Sequence, residues 1–468
     1  MQQRPRIAVI GGGVAGLAAA LRLRDQGPEG AEITVYEQSP VLGGKLRTGS
    51  LAGSPVELGA EAFLATDPGG GDSAAVALAR RVGLSDALVH PTAALAAIAV
   101  DGTLVPVPKG TLLGVPGDLD LVAPLARVSA DRDRDGGRPL LGPDDDVAVG
   151  ALVRRRLGDE VVDRLVDPML GGVYAGRADD LSLAVTMPAL AAAARSEATL
   201  VGAVRAAQAA GARRPGSPVF ATLAGGVSRL VTAVAEASGA NVRQDAAVRE
   251  LTPAGPGWRL TVGPTRAPDH VDVDAVVLAV PARPAARLLT GVESSAADLV
   301  GRLDYASVAL VTLALPAAAL PELSGFLVPA GEGALIKAAT FFTTKWAHLR
   351  RPDGVALVRA SVGRYGEERT LHRPDEELVA LVHREVGAAI GAVLPGPLAA
   401  RVQRWGGALP QYRPGHLDRV ARARGALSGH PTLALAGAAY DGVGIPACVR
   451  SGEAAAEEII KALEGSTS

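Results

Sequence analysis

The chain opens with the pattern that most limits how it can fold. Ile7-Ala8-Val9-Ile10 is a short apolar run, Gly11 to Gly16 reads G-x-G-x-x-G, Leu17 to Gln26 is rich in Ala and Leu, and Ile33-Thr34-Val35-Tyr36 is a second β-branched run. Strand, turn, helix and strand in this order predict a βαβ unit, with parallel strands and the helix covering one sheet face. Gly11 permits the tight turn, Gly13 lets the backbone approach a pyrophosphate, and Gly16 lets helix pack on strand. The N-terminus of the following helix offers unpaired N–H groups to the phosphates, with Val14 and Ala15 of the turn among the cofactor-binding residues. Glu37 ends the second strand 21 residues after Gly16, where a carboxylate accepts both ribose hydroxyls. An acid there argues against a 2′-phosphate, which leaves NAD or FAD and sets NADP aside.

Length and composition bound the remainder. A chain of 468 residues exceeds one ordinary core, so two to four domain-sized units are expected. Apolar residues at 48% and charged residues at 21% predict a globular chain rather than a disordered one. The 47 basic and 49 acidic residues leave a net charge of −2, so no global field steers the chain to nucleic acid or an anionic membrane. Few aromatics, with Trp 3, Tyr 6 and Phe 5, argue against a stacking platform for single strands. Cys448 is the sole cysteine, which excludes an internal disulfide and a multi-cysteine metal site and fits a reducing compartment. The seven His are scattered without metal spacing or a triad, so no metal ligand and no catalytic side chain is assigned. The longest run free of Asp, Glu, Lys and Arg, Tyr305 to Pro321, is broken by Pro316 and falls short of the roughly 20 residues a membrane span needs. The N-terminus runs into the Gly-rich turn without a cleavable apolar segment. A cytoplasmic protein is expected, with peripheral membrane contact left open.

Further along, helical periodicity runs from Asp72 to Leu88, and Ala94 to Pro108 reads as a hairpin around Asp101-Gly102. Asp131 to Asp146 is polar and Gly/Pro-rich, an exposed loop whose last residues, Asp144 to Asp146, are expected to start a helix. An α-rich stretch continues to about Ala212. Gly225-Gly226 precedes a helix over Val227 to Ser238, and short strands follow at Asn241 to Gln244, Ala247 to Thr252 and Trp258 to Val262, then the run A-V-V-L-A-V up to Pro281. A helix is expected at Asp375 to Ile390, a last strand at Thr432 to Ala436 and a last helix from Ala447 to Leu463. No internal repeat is found.

Past Glu37 the sequence reads Q-S-P-V-L-G-G-K-L-R-T and then V-E-L-G-A-E-A-F. This resembles the second part of the flavin signature in the amine oxidase, carotenoid desaturase and protoporphyrinogen oxidase superfamily, and implies FAD instead of NAD. The resemblance gives Gly43-Gly44 a close approach to the flavin pyrophosphate and Arg47 a nearby positive charge. It also assigns Gln38, Lys45, Gly59, Ala60, Glu61, Ala62 and Trp405 to the cofactor. L-A-L-A-G-A-A-Y-D-G-V-G-I-P-A-C at Leu433 to Cys448 looks like the C-terminal flavin segment, with Gly437 near the phosphates and Val443, Gly444 and Ile445 at the pyrimidine edge. Gly225-Gly226, Val248 and V-L-A-V-P-A resemble the adenine side, with Val248 the adenine neighbour. The implied fold is α/β, α+β overall: a Rossmann-like FAD-binding domain from residues 1–75, 218–290 and 405–468, a mixed-sheet substrate domain from 90–120 and 291–404, and a helical insertion at 121–217.

Arg154 to Leu183, with P-M-L-G-G-V-Y-A-G and L-S-L, resembles bacterial protoporphyrinogen and coproporphyrinogen oxidases, as do G-F-L-V-P, K-A-A-T-F, A-L-P-Q-Y-R-P-G-H and Y-D-G-V-G-I-P-A-C. The run from Val100 to Pro116 is particularly similar to the enzymes of high-GC Gram-positive bacteria. The resemblance implies oxidation of coproporphyrinogen III to coproporphyrin III in heme biosynthesis, by hydride transfers to flavin N5, with dioxygen as acceptor, hydrogen peroxide as by-product and hand-over to the next heme-pathway enzyme. Protoporphyrinogen IX is the nearer alternative substrate; an amine oxidase, a desaturase or a flavin-free Rab escort-type protein is more distant. Substrate propionates should meet Lys or Arg, with Arg177, Lys337 and Lys345 as candidates and Tyr174 along the ring plane. Ala96 and Thr66-Asp67 stand where some relatives carry basic residues, so carboxylate recognition stays open at this stage.

Overall fold

A computed structural model describes residues 4–67, 70–92, 95–211, 217–316 and 320–465. Met1 to Gln3 before the first strand, Ala94 and Ala212 at the ends of predicted segments, and Ala317 to Ala319 of the charge-free run lie outside the described residues. In chain order, the elements that position the site are β1 (Arg6–Ile10), α1 (Val14–Gln26), β2 (Glu32–Tyr36), β3 (Ala96–Val100), β4 (Thr103–Pro106), α2 (Asp167–Tyr174), α3 (Ser228–Ser238), β5 (Asn241–Arg243), β6 (Ala275–Leu278), β7 (Tyr305–Leu315), β8 (Gly325–Leu327), β9 (Ile336–Phe341), β10 (Ala356–Val362), α4 (Asp375–Ala389), β11 (Ala399–Pro410), β12 (Leu433–Leu435) and α5 (Ile445–Gly465).

The first of two large sheets is wholly parallel, in the order β5-β2-β1-β6-β12. Both its faces are covered, so its strands are apolar at nearly every position instead of alternating. Ile7, Val9, Ile33, Val35 and Val277 pack beneath α1 and α5. Ala8, Ile10, Val276 and Leu278 face the opposite way, onto Trp258, Leu260 and the helix residues Leu288 and Leu289. Gly16 and Gly452 set how closely the helices approach. A Cβ on Gly16 would lie 2.0 Å from the Gly11 carbonyl oxygen, and one on Gly452 would lie 2.0 Å from that of Ala15.

The second sheet is mixed, in the order β11-β7-β10-β9-β8-β3-β4. The hairpin β3–β4 turns at Asp101 and Gly102, with φ of 50° and 74°, the left-handed pair expected of a two-residue turn. One face carries Ala309, Val311, Leu313, Val358 and Ala360 into a core closed by Leu378, Val382 and Val386 of α4. The other face looks toward α2, where Gly172 sits against Leu327. Residues 149–210 form a helical region around Leu152, Val162, Leu190 and Val204.

Several boundaries differ from expectation. Asp144 to Asp146 do not begin a helix, which starts at Val149. Instead the Asp146 carboxylate accepts the Ser182 hydroxyl at 2.7 Å and the Gly415 N–H at 2.9 Å, tying the loop to two distant segments. The border expected between residues 404 and 405 falls inside β11, a continuous strand paired with β7. The last helix begins at Ile445, two residues before the expected Ala447, and the charge-free run from Tyr305 is strand β7 as far as Leu315. Among the described residues no helix is long and apolar enough to cross a membrane.

Candidate cofactor and substrate site

The turn after β1 is shaped by backbone requirements. Gly11 has φ of +113°, and a Cβ there would lie 2.5 Å from the Ala279 carbonyl oxygen. Gly13 is unlike its neighbours: an added Cβ would meet nothing within 4 Å, so the space over it is open. The second glycine turn closes over the first, through the Gly43 N–H to the Gly12 carbonyl at 2.8 Å and a bridge between Gly13 and Gly43. Gly44, at φ of +56°, has only the Gly13 Cα near its missing Cβ. The N-terminus of α1 opens beside this space, and α5 crosses its first turn where Gly452 meets Ala15. Gly444 precedes the first turn of α5, and the left-handed Gly437 is held by its N–H to the Ser451 hydroxyl at 2.9 Å.

Glu37 is 9% exposed and stands where β2 ends. Its oxygens accept the Gly12 N–H at 2.9 Å and the Ser39 N–H at 2.8 Å, which fixes the carboxylate at the rim of the glycine turn. Each oxygen keeps lone-pair capacity for a further donor. The Ala246 N–H donates to the Glu37 carbonyl at 2.8 Å, bringing Val248, itself buried, to the same end of the sheet. Gln38 is exposed beside it.

The opposite side of the opening carries positive charge without a partner. Arg47 Nε is sealed from solvent and makes no hydrogen bond, while its guanidinium lies 5.7 Å over the Trp405 ring. Trp405 is fixed by its Nε1–H to the Leu58 carbonyl at 2.6 Å. Burial holds the half-buried Lys45 ammonium below its ordinary range. Ala60 donates to the Lys45 carbonyl, and a Cβ on Gly59 would lie 2.0 Å from that same oxygen. An open glycine cradle, a helix N-terminus, an anchored ribose acceptor and uncompensated cations suit an anionic dinucleotide. The residues present therefore fit FAD. The structure brings Gly11, Gly13, Val14, Ala15, Gly16, Glu37, Gly44, Lys45, Arg47, Gly59, Ala60, Trp405, Gly437, Gly444 and Ile445 around one region, with Ala62 and Val443 adjoining it in sequence and half-buried.

Glu61, expected at the cofactor, is the centre of a buried ion-pair network. Its carboxylate accepts from Lys345 Nζ at 2.6 Å, Arg359 Nη2 at 2.6 Å and Trp346 Nε1 at 3.1 Å. Burial alone would raise its pKa, yet the two cations and these hydrogen bonds outweigh burial and hold the carboxyl below the usual range. Lys345, the candidate for a substrate carboxylate, has its charge matched by Glu61 inside the protein. Arg359, which the sequence reading missed, also donates to the Gly59 carbonyl at 2.9 Å and the Glu57 carbonyl at 3.0 Å, joining the second sheet to the cofactor segment. Its signal was present, since V-A-L-V-R-A-S-V puts one cation in an otherwise buried strand.

The remaining substrate candidates separate by burial. Arg177 is exposed and lies 3.5 Å from Glu367. Tyr174 ends α2, edge-on to Tyr412 at 5.8 Å between centroids, and burial pushes its phenol up to about 12. Lys337 is 4% exposed, on β9.

The family profile described as flavin containing amine oxidoreductase matches residues 14–460. Coproporphyrinogen III oxidase of Mycobacterium tuberculosis (strain ATCC 25618 / H37Rv) is 39% identical over 462 residues, covering 97% of this chain and 97% of that protein. The protein of the same name from Bacillus subtilis (strain 168) is 30% identical over 480 residues, covering 98% of each. A solved structure of an Exiguobacterium sp. protein superposes with a TM-score of 0.84 at 29% identity, covering 99% of this chain and 100% of that one.

Proposed function

We propose, from the fact that this chain belongs to the flavin containing amine oxidoreductase family, that it is an FAD-dependent oxidase converting coproporphyrinogen III to coproporphyrin III in heme biosynthesis. The observation that carries this reading is the end-to-end likeness to relatives named for that substrate. Bound FAD supplies two-electron oxidation, with dioxygen as the final acceptor and hydrogen peroxide as its product. The chain's own contribution is to bind and orient. Glu37 receives the ribose, the glycine turns and the N-terminus of α1 receive the pyrophosphate, and Arg47 lies beside it. In this reading residues 1–75, 218–290 and the segment after Pro410 make the FAD-binding domain, 90–120 and 291–410 the substrate domain, and 121–217 the helical insertion. The enzyme works in the cytoplasm and passes its product to the next enzyme of the pathway.

Charge on the second sheet supports an anionic substrate over an amine. Lys337, Arg359 and Arg364 lie near one another, and of the three only Arg359 makes a direct ion pair. A protonated amine would be repelled there, whereas propionates would be attracted. The test is anaerobic mixing of the FAD-loaded protein with coproporphyrinogen III and, separately, with protoporphyrinogen IX, following flavin absorbance. Faster bleaching by the first supports the reading. Bleaching by the second alone transfers the assignment to protoporphyrinogen IX, and bleaching by neither removes the porphyrinogen reading.

A further inference from the structure

Strand β9 carries a bulge whose consequence is the position of Lys337. Ala339 and Phe341 point into the apolar core under α4. Strict alternation would send Lys337 into that core and Ile336 to the other face. The pairing with β10 shifts between Ile336 and Ala338, so Ile336 takes the core position and Lys337 falls at the bulge, within reach of Arg359 and Arg364. Re-aiming a side chain is a recurrent use of bulges next to active sites.

Lys337 lies beside positive charge. Its pKa is pushed down to about 7 by burial first and then by Arg364 and Arg359, with no acidic group among the causes. Arg359 is matched by Glu61 at 2.6 Å. Arg364 donates only to the backbone carbonyls of Val328 at 3.1 Å, Ala334 at 3.3 Å and Ile336 at 3.5 Å. From α2, across this face, Asp167 turns its carboxylate to the Ala178 N–H at 2.7 Å, and burial raises its pKa although Arg177 and Arg364 oppose the rise. Lys337 is thus buried with no acidic group acting on it, and Arg364, half-buried, makes no direct ion pair among the described residues although Glu367, Asp167 and Glu385 lie near enough to favour its charge. Keeping an ammonium charged in this state costs stability, a cost relieved by loss of its proton or offset by an arriving anion.

We propose that Lys337, backed by Arg364, is the inner carboxylate site of the substrate cleft and determines specificity by holding one propionate of the porphyrinogen. This deepens the porphyrinogen reading and rests on it. Of the three cations read from the sequence, Lys345 is held by Glu61 and Arg177 lies exposed beside Glu367, so Lys337 alone combines burial with an unmatched charge. Its partner Arg364 was not among them.

The test uses the FAD-loaded full chain and two probes, coproporphyrin III and its uncharged tetramethyl ester, titrated by fluorescence, together with kcat/KM for coproporphyrinogen III. K337M should weaken coproporphyrin III binding and lower kcat/KM by about tenfold or more while ester binding stays within about twofold, and K337R should restore part of the loss. A thermal melt of K337M no lower than wild type shows that the fold is intact. Equal losses for acid and ester in K337M, unchanged binding of the acid, or no acid binding by wild type would overturn the proposal. Selective loss of acid binding in K337M with no turnover by wild type would uphold the carboxylate site and remove the oxidase reading.

Discussion

Lys345 Nζ lies 2.6 Å from Glu61 Oε1, and the residues are separated by 284 positions in sequence. The opposite oxygen of the same carboxylate lies 2.6 Å from Arg359, so one buried acid joins the cofactor segment to the second sheet from two directions. Breaking a buried pair by removing one partner leaves the other charge without compensation. Glu61→Gln should therefore lower unfolding free energy by about 3 kcal/mol, read by urea denaturation at neutral pH. The folded pKa of Glu61 is depressed, so its contribution is complete above the ordinary carboxylate range and is lost as pH falls through the folded value. The difference between wild type and Glu61→Gln should shrink in acid. A pH-independent difference would show that packing, not charge, carries the effect.

Glycines of the first turn divide into those the fold needs and one the cofactor needs. A Cβ at Gly16 would lie 2.0 Å from the Gly11 carbonyl oxygen, whereas a Cβ at Gly13 meets nothing within 4 Å, and φ there is an ordinary −77°. Gly13→Ala should fold with an unchanged melting temperature when flavin-free and yet retain little FAD. Gly16→Ala should fail to accumulate as folded protein, since the strand–helix contact closes on itself. Circular dichroism melts with flavin absorbance separate the two, and normal FAD content in Gly13→Ala would remove the pyrophosphate from this turn.

Glu37 holds two backbone N–H groups in addition to its expected ribose contact. Glu37→Ala leaves both donors without an acceptor, so a loss of about 1–3 kcal/mol in stability should accompany lower flavin retention. The flavin-to-protein absorbance ratio after gel filtration measures the second effect. An unchanged ratio would show that the ribose assignment is mistaken.

The contrast between Glu37 and Lys337 explains what the sequence disclosed. Glu37 belongs to a βαβ unit whose period, turn chemistry and spacing all lie within about 30 residues, so local pattern determines its place. Lys337 depends on a bulge, which alternation in I-K-A-A-T-F does not reveal, and on Arg364, which loop geometry brings close. Lys345 meets a Glu61 that comes from another sheet region, and no local pattern encodes that meeting. Asp146 resembled a helix start by composition, but Ser182 and Gly415 offered its carboxylate distant donors that composition does not show.

Glu57, beside this network, has the opposite pH behaviour from Glu61. Burial pushes its carboxyl up from 4.5 to about 7, although the Val227 N–H and the Thr48 hydroxyl donate to it and Arg359 is nearby. The folded state then binds the Glu57 proton more tightly than the unfolded chain does. Its contribution to stability is greatest below 4.5, declines as pH rises toward about 7, and is level above that. Glu57→Gln keeps a carbonyl oxygen that can accept from both the Val227 N–H and the Thr48 hydroxyl, without the charge. The variant should be more stable than wild type by up to about 3 kcal/mol at pH 8, with the gain vanishing near the ordinary carboxylate value. Paired thermal melts across that window, with wild type as the reference at each pH, measure the difference. A variant less stable than wild type at pH 8 would show that Glu57 is ionised and favourably paired in the folded protein.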